Sequence, residues 1–303
     1  MNVREFACLS SSTSRRSAAI DRVDSPPGSQ RADDPGMKLA VIIPAAGSSR
    51  RYNAQADANA LAARSKLDED LGGRPVLQRT VELFTNLPQT MTVIVAGPAD
   101  PAAMAAFKDR YADKLGLLGV KLCMGGESHR YETVRNALAL VPDSCTHIAV
   151  HDAARPACPP DLIERLLDAA EKFPAVIPGL PVADTLKRST ESVAAPSPDP
   201  LASILGAAPE RRFGVVDATV DRSGLFAVQT PQVFTRDLLL RAYAQSKLDS
   251  TDDAQLVERL GERVVIVPGD ARNLKITHAA DLPLIRAILG TRPPEQRPAH
   301  MRF

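Results

Sequence analysis

From Leu39 onward, short apolar runs alternate with longer stretches in which apolar residues recur three or four positions apart. Leu39 to Ile43 is unbroken and rich in β-branched residues, and predicts a strand buried on both faces. Behind Pro75, the positions Val76, Leu77, Thr80, Val81 and Phe84 have helical spacing and predict a helix over Pro75–Phe84. The same reading gives strands at Met91–Ala96, Val120–Met124, His147–His151, Ala175–Pro178 and Val264–Val267. It gives helices at Pro101–Leu115, Glu132–Leu140, Pro160–Lys172, Arg236–Gln245 and Ala280–Leu289, and a further helix opening at the N-cap signature Ser250-Thr251-Asp252-Asp253. Strands separated by helices of this length predict an α/β fold with a mostly parallel twisted sheet flanked by helices. Ligands of such sheets lie beyond the carboxyl ends of the strands.

The alternation breaks between Leu180 and Val228, where Asp184-Thr185-Leu186-Lys187-Arg188 and Thr219-Val220-Asp221-Arg222 flank a Pro/Ser/Ala-rich stretch. Two polar strands around a long loop predict a protruding arm over about residues 180–228, a natural place for dimer contacts. Gln229-Thr230-Pro231-Gln232 reads as a turn. Residues 1–36 are Ser-, Arg-, Asp- and Pro-rich without apolar periodicity, and disorder is expected there. Glu5, Asp21, Asp24, Asp33 and Asp34 argue against a transit peptide, and Met37, directly before the first strand, is the expected true start. One domain is expected over 37–290, with a loose tail at 291–303.

The 303 residues are 44% hydrophobic, enough for a sizeable core. With 37 basic and 36 acidic residues the net charge is +1, which gives no general case for nucleic acid or an acidic membrane. No apolar run has bilayer length. Cys8, Cys123, Cys145 and Cys158 show no ligand spacing and read as reduced thiols of a cytoplasmic protein. Trp is absent and aromatics are 4%, which disfavours recognition of bases by aromatic stacking.

The candidate chemistry falls at strand ends. The first strand runs into Pro44-Ala45-Ala46-Gly47-Ser48-Ser49-Arg50-Arg51, and Lys66 closes the segment. Small side chains let a ligand approach the main chain, and successive N–H groups there cradle an anion. The spacing is neither the Walker pattern nor the dinucleotide fingerprint. One reading is a nucleoside triphosphate on backbone amides, clamped by Arg51 and Lys66; the other is a polar loop with solvated arginines. Gly125-Gly126-Glu127-Ser128-His129-Arg130 either brings backbone close to a ligand, with Thr133 in the next helical turn, or is a glycine turn before a capped helix. In His151-Asp152-Ala153-Ala154-Arg155-Pro156, Asp152 could accept polyol hydroxyls or join a metal, and Arg155 could hold a phosphate bidentately. A local Asp–Arg pair shaping the turn is the alternative. The alternation of Leu274 and Ile276 faces Lys275 away from the core, toward the crevice or toward solvent.

These segments, together with Thr230-Pro231-Gln232 and Asn273-Leu274-Lys275-Ile276-Thr277, occur in one order that resembles the 2-C-methyl-D-erythritol 4-phosphate cytidylyltransferases of non-mevalonate isoprenoid synthesis. The resemblance spans about Lys38 to Leu289 and implies a Rossmann-like nucleotidyltransferase domain whose β-arm exchanges contacts in a homodimer. It implies that CTP and methylerythritol phosphate give the CDP-alcohol and pyrophosphate. Arg51 and Lys66 are then the catalytic cations on the triphosphate, and Ala45, Ala46, Gly47, Gly125, Gly126 and Thr133 lie near the cytidine. Asp152, Arg155, Thr230 and Lys275 fall on the methylerythritol phosphate side, and Thr185 and Arg222 reach the substrate phosphate of the partner subunit. Mg²⁺ is expected mainly on the CTP phosphates, with no direct protein ligand assigned.

The stretch Tyr52 to Ser65 is longer than the family's, and Ser65-Lys66-Leu67 stands where Pro-Lys-Gln is usual, which leaves Arg64 as the competitor of Lys66. The attacking phosphate oxygen is already anionic near neutral pH, since its second pKa is about 6. No general base is then needed, only alignment and positive charge. A ribitol-5-phosphate cytidylyltransferase is the nearest alternative, disfavoured by Asp184-Thr185-Leu186-Lys187 and Val220-Asp221-Arg222. A nucleotide-binding protein without catalysis is another, motivated by the loop at 52–65 and opposed by Arg51, Asp152, Arg155, Arg222 and Lys275.

Overall fold

The computed structural model describes residues 36–53, 65–194 and 212–292. The expected N-terminal extension, Arg64, the centre of the arm linker and nearly all of the expected tail lie outside the described residues. The strands are β1 (Leu39–Pro44), β2 (Thr90–Gly97), β3 (Lys121–Met124), β4 (His147–Val150), β5 (Ala175–Pro181), β6 (Leu186–Ala194), β7 (Arg212–Val220), β8 (Phe226–Val228), β9 (Gln232–Thr235) and β10 (Val265–Pro268). The helices are α1 (Arg50–Asn53), α2 (Val76–Thr85), α3 (Pro101–Gly116), α4 (Arg130–Leu138), α5 (Pro160–Ala170), α6 (Arg236–Tyr243), α7 (Ala254–Glu258) and α8 (Asp281–Leu289), with a 3₁₀ turn at Lys66–Asp68. The main sheet runs β10-β5-β9-β4-β1-β2-β3, with β8 added to β5, while β6 and β7 pair in a separate antiparallel ribbon.

Period-2 alternation along the central strands builds two cores. Leu39, Val41 and Ile43 of β1 join Val93 and Val95 of β2 and Ala149 of β4 in one layer, beneath α2, α3, α5 and α8. Ala40, Ile42, Ile94, Ala96, Ile148 and Val150 face the other layer, beneath α4, α6 and α7. Both faces are covered, so β1 reads as a continuous apolar run. On α2, the buried positions Val76, Leu77, Thr80, Val81 and Phe84 form one stripe, and the Thr80 hydroxyl sits 2.9 Å from the Ala153 carbonyl oxygen, tying the helix to the loop after β4. Because β1, β2, β3 and β4 are parallel, the loops after them emerge on one side of the sheet.

Two expectations need correction. Gln232 does not sit in a turn: it starts β9, which runs antiparallel between β4 and β5. The helix opening near Ser250 is only the five-residue α7, and Asp253 gives it no side-chain cap. Lys275 follows β10 on an irregular segment, with Leu274 packed on the core and Ile276 buried on either side of it. Among the described residues, no helix is long and apolar enough to cross a membrane.

Phe234 has no exposed surface and faces the second core layer from β9. Phe234→Ala is expected to lower the unfolding free energy by about 3–5 kcal/mol, read from urea denaturation.

Candidate active site

A cavity of about 420 Å³ opens beyond the carboxyl ends of β1 and β4. Its walls come from the loop Pro44–Tyr52, the start of the 3₁₀ turn, the glycine turn into α4, Asp152 to Ala154, and Lys275 with Thr277. The loop after β1 continues the ladder once, through Ala45 N–H to the Ala96 carbonyl at 2.7 Å, and then leaves the sheet. Ser49 takes a left-handed conformation (φ 52°) and turns the chain into α1. Its hydroxyl accepts a bond from the Lys66 N–H at 3.3 Å, which seats the 3₁₀ turn against the loop. The turn is held from behind by the hydroxyl of Tyr111, which donates to Asp68. A Cβ at Gly47 would meet nothing within 4 Å, so the backbone there stays open to a ligand.

On the opposite wall, helix α4 shapes the glycine turn. The Thr133 hydroxyl accepts the Gly126 N–H at 3.0 Å, and Glu132 accepts the N–H groups of Ser128 and His129 at 2.9 and 3.2 Å. A Cβ at Gly126 would lie 2.1 Å from the Glu132 Cβ, and one at Gly125 would lie 2.5 Å from the Gly97 carbonyl oxygen, so glycine is required at both.

Asp152 forms the floor. Its carboxylate meets Lys275 Nζ at 2.9 Å, Arg155 Nε at 3.2 Å and Arg130 Nε at 3.8 Å. Burial would raise its pKa, but Lys275, Arg130 and Arg155 together outweigh burial and hold the carboxyl well below its ordinary value. Its backbone N–H donates to the Thr230 hydroxyl at 3.0 Å, and that hydroxyl lies 3.3 Å from His151 Nδ1. His151 Nε2 faces the Arg155 carbonyl oxygen at 3.1 Å, an acceptor only, so Nε2 carries the proton and Nδ1 accepts from Thr230. Burial lowers the His151 pKa to about 4, so the ring is neutral at physiological pH.

Lys66 donates from Nζ to the Ile276 carbonyl at 2.7 Å. Its pKa is lowered to about 8, first by burial and then by the nearby charge of Lys275, with Arg51 adding a smaller push. Arg51 is exposed on the pocket wall and makes no hydrogen bond or ion pair to any described residue.

The structure therefore brings Ala45, Ala46, Gly47, Arg51, Lys66, Gly126, Thr133, Asp152 and Lys275 around one cavity. Gly125 lies just behind the wall, packed on Ala46 and Thr133. Arg155 and Thr230 are not on the wall. Arg155 is buried, donating to the Asn273 carbonyl at 2.7 Å as well as to Asp152, so it supports the floor instead of facing a ligand. Thr185 and Arg222 are exposed at the root of the arm, where Arg222 donates to the Ala183 carbonyl, and neither reaches this cavity of its own chain. Sequence reasoning assigned no role to Arg130, which pairs with the buried Asp253 at 2.7 Å. Its place at the first turn after the glycines is the signal that could have found it.

The family model for IspD, 2-C-methyl-D-erythritol 4-phosphate cytidylyltransferase, matches residues 39–202 and 204–291. The chain belongs to this family. A cytidylyltransferase of this name from Frankia casuarinae is 38% identical over 254 residues, covering 84% of the chain and 82% of the relative. One from Streptomyces avermitilis is 36% identical over 85% of the chain and 94% of its own length. The crystal structure of the Thermus thermophilus cytidylyltransferase superposes with a TM-score of 0.58 at 32% identity, covering 84% of this chain and all of that one. Every wall segment of the cavity among the described residues lies within the matched range.

Removing the floor charge leaves Lys275, Arg155 and Arg130 facing one another. Asp152→Asn is expected to cost about 3 kcal/mol of stability. The folded-state pKa is depressed below the ordinary carboxyl value of 3.8, so the carboxylate's contribution is complete above that pH and fades only as the pH falls below it. Urea denaturation of the two proteins should therefore show a constant gap from pH 8 to 5.

Proposed function

We propose that this cytidylyltransferase moves CMP from CTP onto 2-C-methyl-D-erythritol 4-phosphate, giving 4-diphosphocytidyl-2-C-methyl-D-erythritol and pyrophosphate in the non-mevalonate isoprenoid pathway. The observation that carries the reading is a backbone-lined cavity with the cations Arg51, Lys66, Lys275 and Arg130 on its walls and an ionised Asp152 at its floor. An oxygen of the methylerythritol phosphate attacks the α-phosphorus of CTP, forming one P–O bond as the bond to the β-phosphate breaks. Pyrophosphate leaves with the displaced electron pair. Both reactants are anions, so their approach and the charge gathering at the α-phosphate must be offset by fixed cations.

In this reading Ala45 to Gly47, Gly125, Gly126 and Thr133 seat the nucleoside, and Arg51 and Lys66 hold the triphosphate and stabilise the transition state. Asp152 accepts a polyol hydroxyl and Lys275 faces the second phosphate, with Arg155 and Thr230 acting through Asp152. Among the described residues, no three His, Cys, Asp or Glu side chains converge on one point, and Asp152 is already engaged by cations. That donor set suits a magnesium ion carried in on the triphosphate oxygens. Bound there, it would neutralise part of the triphosphate charge. The homodimer belongs to the same reading: Phe213 and Val216 are 54% and 59% exposed on the arm, and Thr185 and Arg222 at its root would reach the partner's substrate phosphate. The cellular site is the cytoplasm.

Pyrophosphate release with CTP and Mg²⁺ tests the reading, comparing methylerythritol 4-phosphate with ribitol 5-phosphate. Turnover with the first is expected; turnover with the second alone would overturn the substrate. Arg51→Ala and Lys66→Ala are each expected to lower turnover by about a hundredfold or more with circular dichroism unchanged. A near-normal rate in Arg51→Ala would remove it from the mechanism.

Lys66 is charged below its pKa of about 8 and neutral above it. The kcat/KM for CTP, which reports the free enzyme, should fall as the pH rises through that value. Lys66→Arg keeps its charge, so its profile should be flat there. An alkaline limb that persists in Lys66→Arg would assign it to another group.

A further inference from the structure

Asp253 is fully buried and does not cap the helix that follows it. One carboxylate oxygen accepts the Tyr243 hydroxyl at 2.5 Å, and the other accepts Arg130 Nη2 at 2.7 Å. Arg130 in turn lines the cavity, with Nε 3.8 Å from Oδ1 of Asp152. The other oxygen of Asp152, Oδ2, is already taken by Lys275 and Arg155. Oδ1 is therefore the oxygen left for a ligand, and Arg130 is the group nearest to closing it. A guanidinium is a rigid fork of donors and binds a carboxylate bidentately when free to reach it. Burial disfavours the charge on Arg130, and Asp253 beside it more than offsets that cost, with Asp152 a smaller contributor.

We propose that Asp253 is a positioning residue: by anchoring the half-buried Arg130 to a buried carboxylate, it keeps Oδ1 of Asp152 open to a hydroxyl of the polyol phosphate. This rests on the activity proposed above, and Asp253 itself touches no substrate. Tyr243 fixes the carboxylate from the far side, so the restraint runs from α6 through the residue preceding α7 to the cavity floor. The sequence showed Asp253 only as part of a helix-start pattern. In the structure the neighbouring Asp252 does that work, accepting the Gln255 N–H at 3.0 Å.

Steady-state kinetics on Asp253→Asn test it, since the side chain keeps its shape and loses its charge. Arg130, released, turns to Asp152, and the KM for the polyol phosphate rises about tenfold while that for CTP stays within about twofold. Adding Arg130→Gln removes the competing fork, so the double variant should regain a KM nearer the wild-type value than the single variant. A merely structural role predicts both KM values rising together and a double variant no better than the single; either result overturns the proposal. Should Asp253→Asn not fold, Tyr243→Phe keeps the ion pair and removes one hydroxyl. It is expected to raise only the polyol phosphate KM, about threefold, and no rise would overturn the proposal. A wild type that releases no pyrophosphate overturns the activity and this inference with it. An active wild type with an unchanged Asp253→Asn overturns this inference alone.

Discussion

The structure depends on holding several like charges together before any ligand arrives. Lys66, Lys275, Arg130 and Arg155 converge behind and around one carboxylate, and Asp152 is what makes that assembly tolerable. The residual repulsion is visible at Lys66, where burial and the neighbouring Lys275 bring the pKa down toward neutrality. A site built this way is held short of negative charge, so an incoming polyanion relieves repulsion as well as forming contacts. That is the physical sense in which the cavity is preorganised for phosphate chemistry.

The fold supplies the convergence from separate elements. Arg51 comes from the loop after β1, Arg130 from the first residue of α4, Asp152 from the loop after β4, and Lys275 from the segment after β10. Parallel strands put the first three on one edge of the sheet, and a few long-range bonds bring in the fourth. The Ile276 N–H donates to the Ala154 carbonyl at 2.9 Å, and the Asn273 side chain donates to the Thr230 carbonyl at 2.8 Å. Gln229 adds bonds to both ends of the Asp270 peptide. These buried amides carry no chemistry, yet the position of Lys275 rests on them.

Much of this was legible in the sequence. The run Leu39 to Ile43, the helical stripe on Val76 to Phe84 and the motifs at strand ends all signal a parallel sheet with a site at its carboxyl edge. β9 was not legible, because a four-residue strand opening on a glutamine looks polar. Gln232 is buried there only because its amide meets Asp252 at 2.8 Å and the Ala254 N–H at 3.1 Å, contacts that no local pattern shows. Asp252 and Asp253 were read together as a helix start, and tertiary contacts separate them: one caps, the other pairs with Arg130 across 123 positions of sequence. Lys66 lies on the described wall of the cavity, while its competitor Arg64 lies outside the described residues.

The arginines of the motifs differ in what they can do because their partners differ. The half-buried Arg130 and the buried Arg155 are already bonded to carboxylates or carbonyls, so meeting a phosphate would require breaking those bonds. Arg155 therefore shapes Asp152, whatever its place in a motif suggests. Arg51 sits at the rim in water with no partner among the described residues, and its guanidinium can turn to a triphosphate without surrendering an existing ion pair. A charge that is paired and buried in the empty site contributes shape; one that is unpaired and hydrated keeps its interaction energy for the ligand. Sequence gives the residue type in both cases, and only the partners in the folded chain decide between them.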